Sequence, residues 1–127
     1  MELGYTKTTD KPFDEVVEAL EAKTAENMFR VLHTHNVKAT LAEKGFERPA
    51  YKIIEVCNAG FAHKALGLSL DVGMFMPCKF VVADLEGKTQ VTLVKPSMIS
   101  QLMPGIGLDE LAASVEETLT KVMEESI

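Results

Sequence analysis

Residues 79–95 read KFVVADLEGKTQVTLVK. Two runs, KFVVADL and TQVTLVK, flank the pair EG at 86–87. Side chains that branch at Cβ suit a pleated, half-buried surface, and Gly87 suits a tight turn. The pattern predicts a β-hairpin, with Val91 and Leu93 pointing one way and Gln90 and Thr92 the other. A hairpin is antiparallel by construction, so part of any sheet built on it is antiparallel.

Upstream of the hairpin, YKIIEVC at 51–57 is rich in aromatic and β-branched residues and predicts a strand. AGFAHKAL follows it as a helix, with Phe61, Ala65 and Leu68 on one face. FRVLHTH at 29–35 predicts another strand. Simple alternation places Phe29, Val31, His33 and His35 on one face, and Arg30, Leu32 and Thr34 on the other. Asn36 is a good N-cap for a short helix, VKATLAEK, which Gly45 ends. ELGYTKT alternates weakly and is a candidate first strand. Pro12 then opens a helix carrying Phe13, Val16, Val17 and Leu20 on one face, running to about Glu26, with Asn27 as a left-handed stop.

Downstream, PSMISQLMPGIG reads as irregular because Pro96, Pro104, Gly105 and Gly107 interrupt it. The last helix is the cleanest amphipathic segment. Leu108, Leu111, Ala112, Val115, Leu119 and Val122 form its stripe, and Glu116, Glu117, Lys121 and Glu124 its outer face. The order is β-α-β-α-β-α-β-β-α over one domain, residues 1–127. It predicts an α+β two-layer sandwich with four helices on a mixed sheet of about five strands, since the early β-α-β steps permit parallel pairing.

The 127 residues carry a net charge of −6, with 46% hydrophobic and 25% charged residues. That is a globular composition. The acidic balance argues against nucleic acid, whose phosphates need clustered Lys and Arg. No apolar run reaches a membrane span, and the start MELGYTKTTDKPF lacks the apolar stretch of a secretory signal. A cytoplasmic protein with no membrane partner is expected, with its two cysteines reduced.

Most catalytic signatures are missing. There is no G-x-G-x-x-G, Walker loop, C-x-x-C or H-E-x-x-H, and no serine lies in a nucleophile elbow. PGIGLDE precedes a helix, but Asp109 and Glu110 would repel a phosphate there. The two cysteines stand out by position. Cys57 ends one strand and Cys78 begins the next, within VGMFMPCKF at 72–80. Antiparallel neighbouring strands would bring the sulfurs together, whereas parallel ones would put them at opposite ends. Packing, a thiol or soft-metal site, and a disulfide are all compatible with the sequence. His63 on the intervening helix and Met76 are candidate extra ligands, and Met74, Met98 and Met103 carry the same soft thioether. His33 and His35 are either core-facing histidines or a second metal pair.

HNVKATLAEKG, YKIIEVCN, VGMFMPCKFVV and VTLVKPSM together resemble the domain-of-unknown-function 302 family, from the first helix to Met98. The family pattern has Cys-Asn-Pro at a strand end and Pro-Cys before another. Cys57, Asn58, Pro77 and Cys78 match it, whereas Ala59 replaces the usual proline. His35 stands at a usually apolar position, and Asn36 where Asp is usual. The resemblance implies a compact α+β domain, often a homodimer, and no established activity or cofactor.

Three functions follow as expectations. The first is a small cytoplasmic binding module with a ligand or dimer groove near Cys57, Asn58, Pro77 and Cys78. The second is a thiol-redox or soft-metal protein, holding copper or zinc on Cys57 and Cys78 with His63 or Met76. The third is an enzyme with a cysteine nucleophile and a histidine base.

Overall fold

The computed structural model describes residues 3–127. Five strands form one sheet: β1 (Gly4–Thr9), β2 (Arg30–Asn36), β3 (Tyr51–Cys57), β4 (Cys78–Asp84) and β5 (Thr89–Val94). Five α-helices accompany them: α1 (Phe13–Glu26), α2 (Val37–Ala42), α3 (Ala59–Leu68), α4 (Pro96–Leu102) and α5 (Asp109–Ser126). A 3-10 turn, Leu70–Phe75, leads from α3 towards β4. The predicted element order holds with one helix, α4, added between β5 and the last helix, so there are five α-helices rather than four, and the α+β sandwich is confirmed.

The sheet order is β1-β5-β4-β3-β2, and every pairing is antiparallel rather than mixed. The connections explain why. A parallel crossover needs a helix that carries the chain back along the sheet. The six residues of α2 span only about 9 Å, against about 23 Å for a seven-residue strand. Helix α3 packs on the 3-10 turn and α5 beyond the strand ends. After β2, β3 and β4 the chain therefore re-enters the sheet at the end it left, whereas α1 carries it back along the sheet between β1 and β2, which lie on opposite edges and are not paired.

Helices α1 and α5 cover one face. Val16, Val17 and Leu20 of α1 and Val115, Leu119, Val122 and Met123 of α5 meet Ile54, Val56, Phe80, Val82, Val91 and Leu93 of the sheet. Val91 and Leu93 share the core side, as the hairpin pattern requires. The hydroxyls of buried Thr24 and Ser126 donate to the carbonyls of Leu20 and Val122, one turn back in their own helices. Among the described residues no buried side-chain polar atom lacks a partner.

Three local expectations are corrected. First, α1 does not stop on a left-handed Asn27. Met28 takes that conformation, at φ 67°. The N–H of Phe29 reaches the carbonyl of Thr24 and that of Met28 reaches Ala25, a Schellman closure one residue later. Second, β2 does not alternate simply. A bulge between Val31 and His33 shifts the register. Val31 stays opposite buried Val56 and Thr34 opposite buried Ile54, so His33 and His35 turn to the solvent face. Third, residues 96–102 are helical, not irregular. Pro96 occupies the first turn, where its missing N–H costs nothing. Glu116 of α5 accepts from the Ser97 N–H at 3.1 Å and its hydroxyl at 2.7 Å. This glutamate, expected on the outer face of α5, is the cap of α4.

A second, smaller core forms around these additions. Val72, Met98, Ile99, Leu108 and Ala112 are buried together, with Ala65, Phe75, Met76 and Leu111 packed against them. This cluster is separate from the sandwich core.

Candidate functional site

An apolar cleft runs along the seam between the two cores, with a volume of about 90 Å³. The sandwich core supplies Phe29, Val56, Phe61 and Val115 to its wall, and the smaller core supplies Val72, Phe75, Ile99 and Leu108. Cys57, Asn58, Met76, Pro77 and Cys78 line its sheet end. The physical origin is topological. The segment between β3 and β4 must leave the sheet and return to it, and it packs a second apolar cluster beside the first without fusing the two.

Strands β3 and β4 are antiparallel neighbours, with Val56 opposite Cys78. Cys57 is therefore one residue off register from Cys78, and because successive side chains leave opposite faces of a strand, antiparallel pairing does not by itself bring the two sulfurs together, although both residues border the cleft. Both cysteines are free and part-buried, so no disulfide joins them. Burial pushes the Cys78 thiol up from 9.0 to about 11, the Cys57 thiolate adds to the shift, and Lys79 opposes it. Cys78 is thus held protonated at neutral pH, the opposite of an activated nucleophile.

Asn58 is held at both ends of its amide. Its Oδ1 accepts from the Phe61 N–H at 3.1 Å and caps α3, and its Nδ2 donates to the Met28 carbonyl at 2.9 Å. One side chain thereby ties the α1–β2 corner to the start of α3. The β3 end uses this residue as a clamp, with one donor and one acceptor of the amide committed to it. The Met76–Pro77 peptide bond is cis.

The remaining candidates separate. His63 is exposed on α3 and does not line the cleft. Met74 is exposed, Met98 is buried in the smaller core and Met103 packs against that core. Met76 alone of these methionines lines the cleft beside the cysteines. His33 and His35 stack edge-to-face with centroids 4.4 Å apart on the far strand, and His35 Nε2 lies 2.9 Å from Glu55. Among the described residues no group of three or more His, Cys, Asp or Glu side chains is placed to hold a metal ion. The cleft wall contains no histidine and no charged side chain. The clamp role of Asn58 and the capping role of Glu116 escaped sequence reasoning. Asn58 followed by a helix was a readable cap signal, whereas Glu116 acts across the fold and left none.

The chain matches the family described as Domain of unknown function DUF302 over residues 5–126. The chain belongs to the DUF302 family. The match extends beyond the motif-bearing segment to both ends of the fold. A crystal structure of a DUF302 protein from Bacillus stearothermophilus is similar over 100% of both chains, at 33% identity and a TM-score of 0.93. No curated protein matches the chain. DUF302 membership carries the fold and not an activity. No helix among the described residues is long and apolar enough to cross a membrane.

Proposed function

We propose that this DUF302 protein is a binding module that takes a small apolar molecule, or the apolar end of a larger one, into the seam cleft. The observation that carries the reading is the wall itself. It is hydrocarbon apart from sulfur and the committed amide of Asn58. Concave, apolar and largely preformed sites are where small ligands bind. The volume of about 90 Å³ is below the roughly 150 Å³ that encloses benzene. A larger ligand would therefore leave its remainder towards the open side.

A series of 1-alkanols tests this by thermal shift and calorimetry. Affinity should rise by about 0.8 kcal/mol per added methylene until the cleft is filled, then level. Ala65→Leu, which adds hydrocarbon to the wall, should abolish the trend while circular dichroism stays unchanged. Affinity that ignores chain length, or survives Ala65→Leu intact, would overturn the reading.

A further inference from the structure

Strands β3 and β4 are apolar on both faces at their centres. A strand with one face on a core and one in water alternates apolar and polar residues. Residues 53–54 instead read Ile-Ile and residues 81–82 Val-Val. Ile54 and Val82 enter the sandwich core, so Ile53 and Val81 leave the opposite face of the sheet. The register sets Ile53 beside Val81 and Tyr51 beside Ala83 on that face. Among the described residues none of these four belongs to either core. Helix α2 contacts β3 but buries no residue of its own, so it does not close the face.

The strand pairings lay this face out row by row. Its middle row runs Thr6, Thr92, Val81, Ile53 and His35, from β1 across to β2. Strand β4 is the third of five, and Val81 is the fourth of its seven residues, so the apolar strip lies at the centre of the sheet. On one side the Oγ1 atoms of Thr6 and Thr92 are 3.1 Å apart. On the other, His35 Nε2 lies 2.9 Å from Glu55, and Lys79 sits opposite Glu55 in the register. The Arg48 guanidinium lies 4.8 Å from the ring centroid of Tyr51. An apolar centre inside a polar rim, with tyrosine and arginine present, is the make-up of a protein interface. Of the chain's 19 acidic residues only Glu55 holds a paired position on this face. The acidic excess that would repel a second chain lies elsewhere.

We infer that the open sheet face is the contact between two copies of this chain, packed sheet to sheet about a two-fold axis through the middle of β4. A two-fold contact uses the same patch on both copies, so its apolar part must be centred on the axis. Here the apolar strip is centred on the sheet. The area is sufficient as well. Five strands about 4.8 Å apart, each of six or seven residues rising about 3.3 Å, present about 500 Å² per copy. Two copies reach the roughly 1,000 Å² that a specific interface needs. The product is a four-layer dimer, with helices outside and two sheets within. The seam cleft takes Val56 and Val115 from the helix-covered side, so sheet pairing and apolar-ligand binding are independent.

Sedimentation equilibrium on the full chain at about 50 μM should give twice the chain mass. A residue near the axis meets its own copy, so Val81→Lys brings two ammonium groups together and should weaken association at least about 30-fold. Thr92→Lys, one strand over, should act in the same direction. Leu70→Lys, at a side chain 82% exposed on the 3-10 turn, should leave the mass doubled. Circular dichroism confirms that each variant is folded. A dilution series on the wild type, followed by methyl NMR, needs no substitution. The Ile53 and Val81 methyl signals should move with concentration while those of Ile54 and Val82 hold still. A single chain mass at the starting concentration would overturn the inference. So would a folded Val81→Lys that remains dimeric, or dilution shifts confined to Leu70 and Leu102, which would move the contact to the smaller core. If Val81→Lys does not fold, Thr92→Lys and the dilution series decide.

Discussion

Met28 shows most directly what a single residue contributes. It sits at φ 67°, in the left-handed region, with its side chain 81% exposed. A non-glycine residue there costs of order 1 kcal/mol, and little burial offsets it. Met28→Gly should stabilise the protein by about 0.5–1 kcal/mol, seen as a higher urea midpoint at unchanged slope. Asn58 is the converse case. Asn58→Ala removes the α3 cap and the bond to the Met28 carbonyl together, and should cost about 2 kcal/mol in the same measurement. Cys78 has a pH signature. The unfolded chain loses this proton near 9.0 and the folded chain near 11. Between those values the unfolded state binds fewer protons, so stability falls as pH rises, and the contribution is complete below pH 9. The loss is at most about 3 kcal/mol. Wild type should lose more stability than Cys78→Ala between pH 8.5 and 11. Parallel curves would show that the thiol does not titrate as placed.

At the scale of elements, α4 depends on a partner distant in sequence. Its N-terminal N–H and the Ser97 hydroxyl both end on Glu116. Glu116→Ala strands those donors and should cost about 1–3 kcal/mol. Pro96 and Ile99 of α4 also line the cleft. The same substitution should therefore weaken alkanol binding, whereas Glu117→Ala on the exposed side of α5 should change neither quantity. Element legibility followed the same division. The β4–β5 hairpin, β3 and α5 were readable because period and turn chemistry agreed locally. The β2 bulge was not readable. Leu32 is an ordinary strand residue, and only pairing with β3 leaves it without an opposite number and turns His33 and His35 outward.

The whole molecule consists of two apolar clusters of unequal size meeting at a seam. The larger packs the buried faces of β3, β4 and β5 against α1 and α5, whereas the smaller packs α4 and the 3-10 turn on the first part of α5. Fewer buried contacts mean a lower cost of local opening. Native-state hydrogen exchange should show residues 70–76 and 96–103 opening well below the global unfolding free energy, with β3 and β4 exchanging only near it. A bound alkanol should raise protection in the first group selectively. Uniform protection across both clusters would mean that they unfold as one unit and that the seam is not a place of give.

The sequence by itself determined the element order apart from α4, the sandwich class and the Asn36 cap, because periodicity, branching at Cβ, glycine and asparagine act over a few residues. It also marked Cys57, Asn58, Pro77 and Cys78 as the unusual positions. The tertiary structure alone decided that every strand pair is antiparallel, that Cys57, Met76 and Cys78 border one cleft and His63 does not, and that this cleft lies between two cores. Those facts depend on which end of the sheet the chain re-enters and on what packs beside it. Both are set by contacts between segments remote in sequence, which no local pattern encodes.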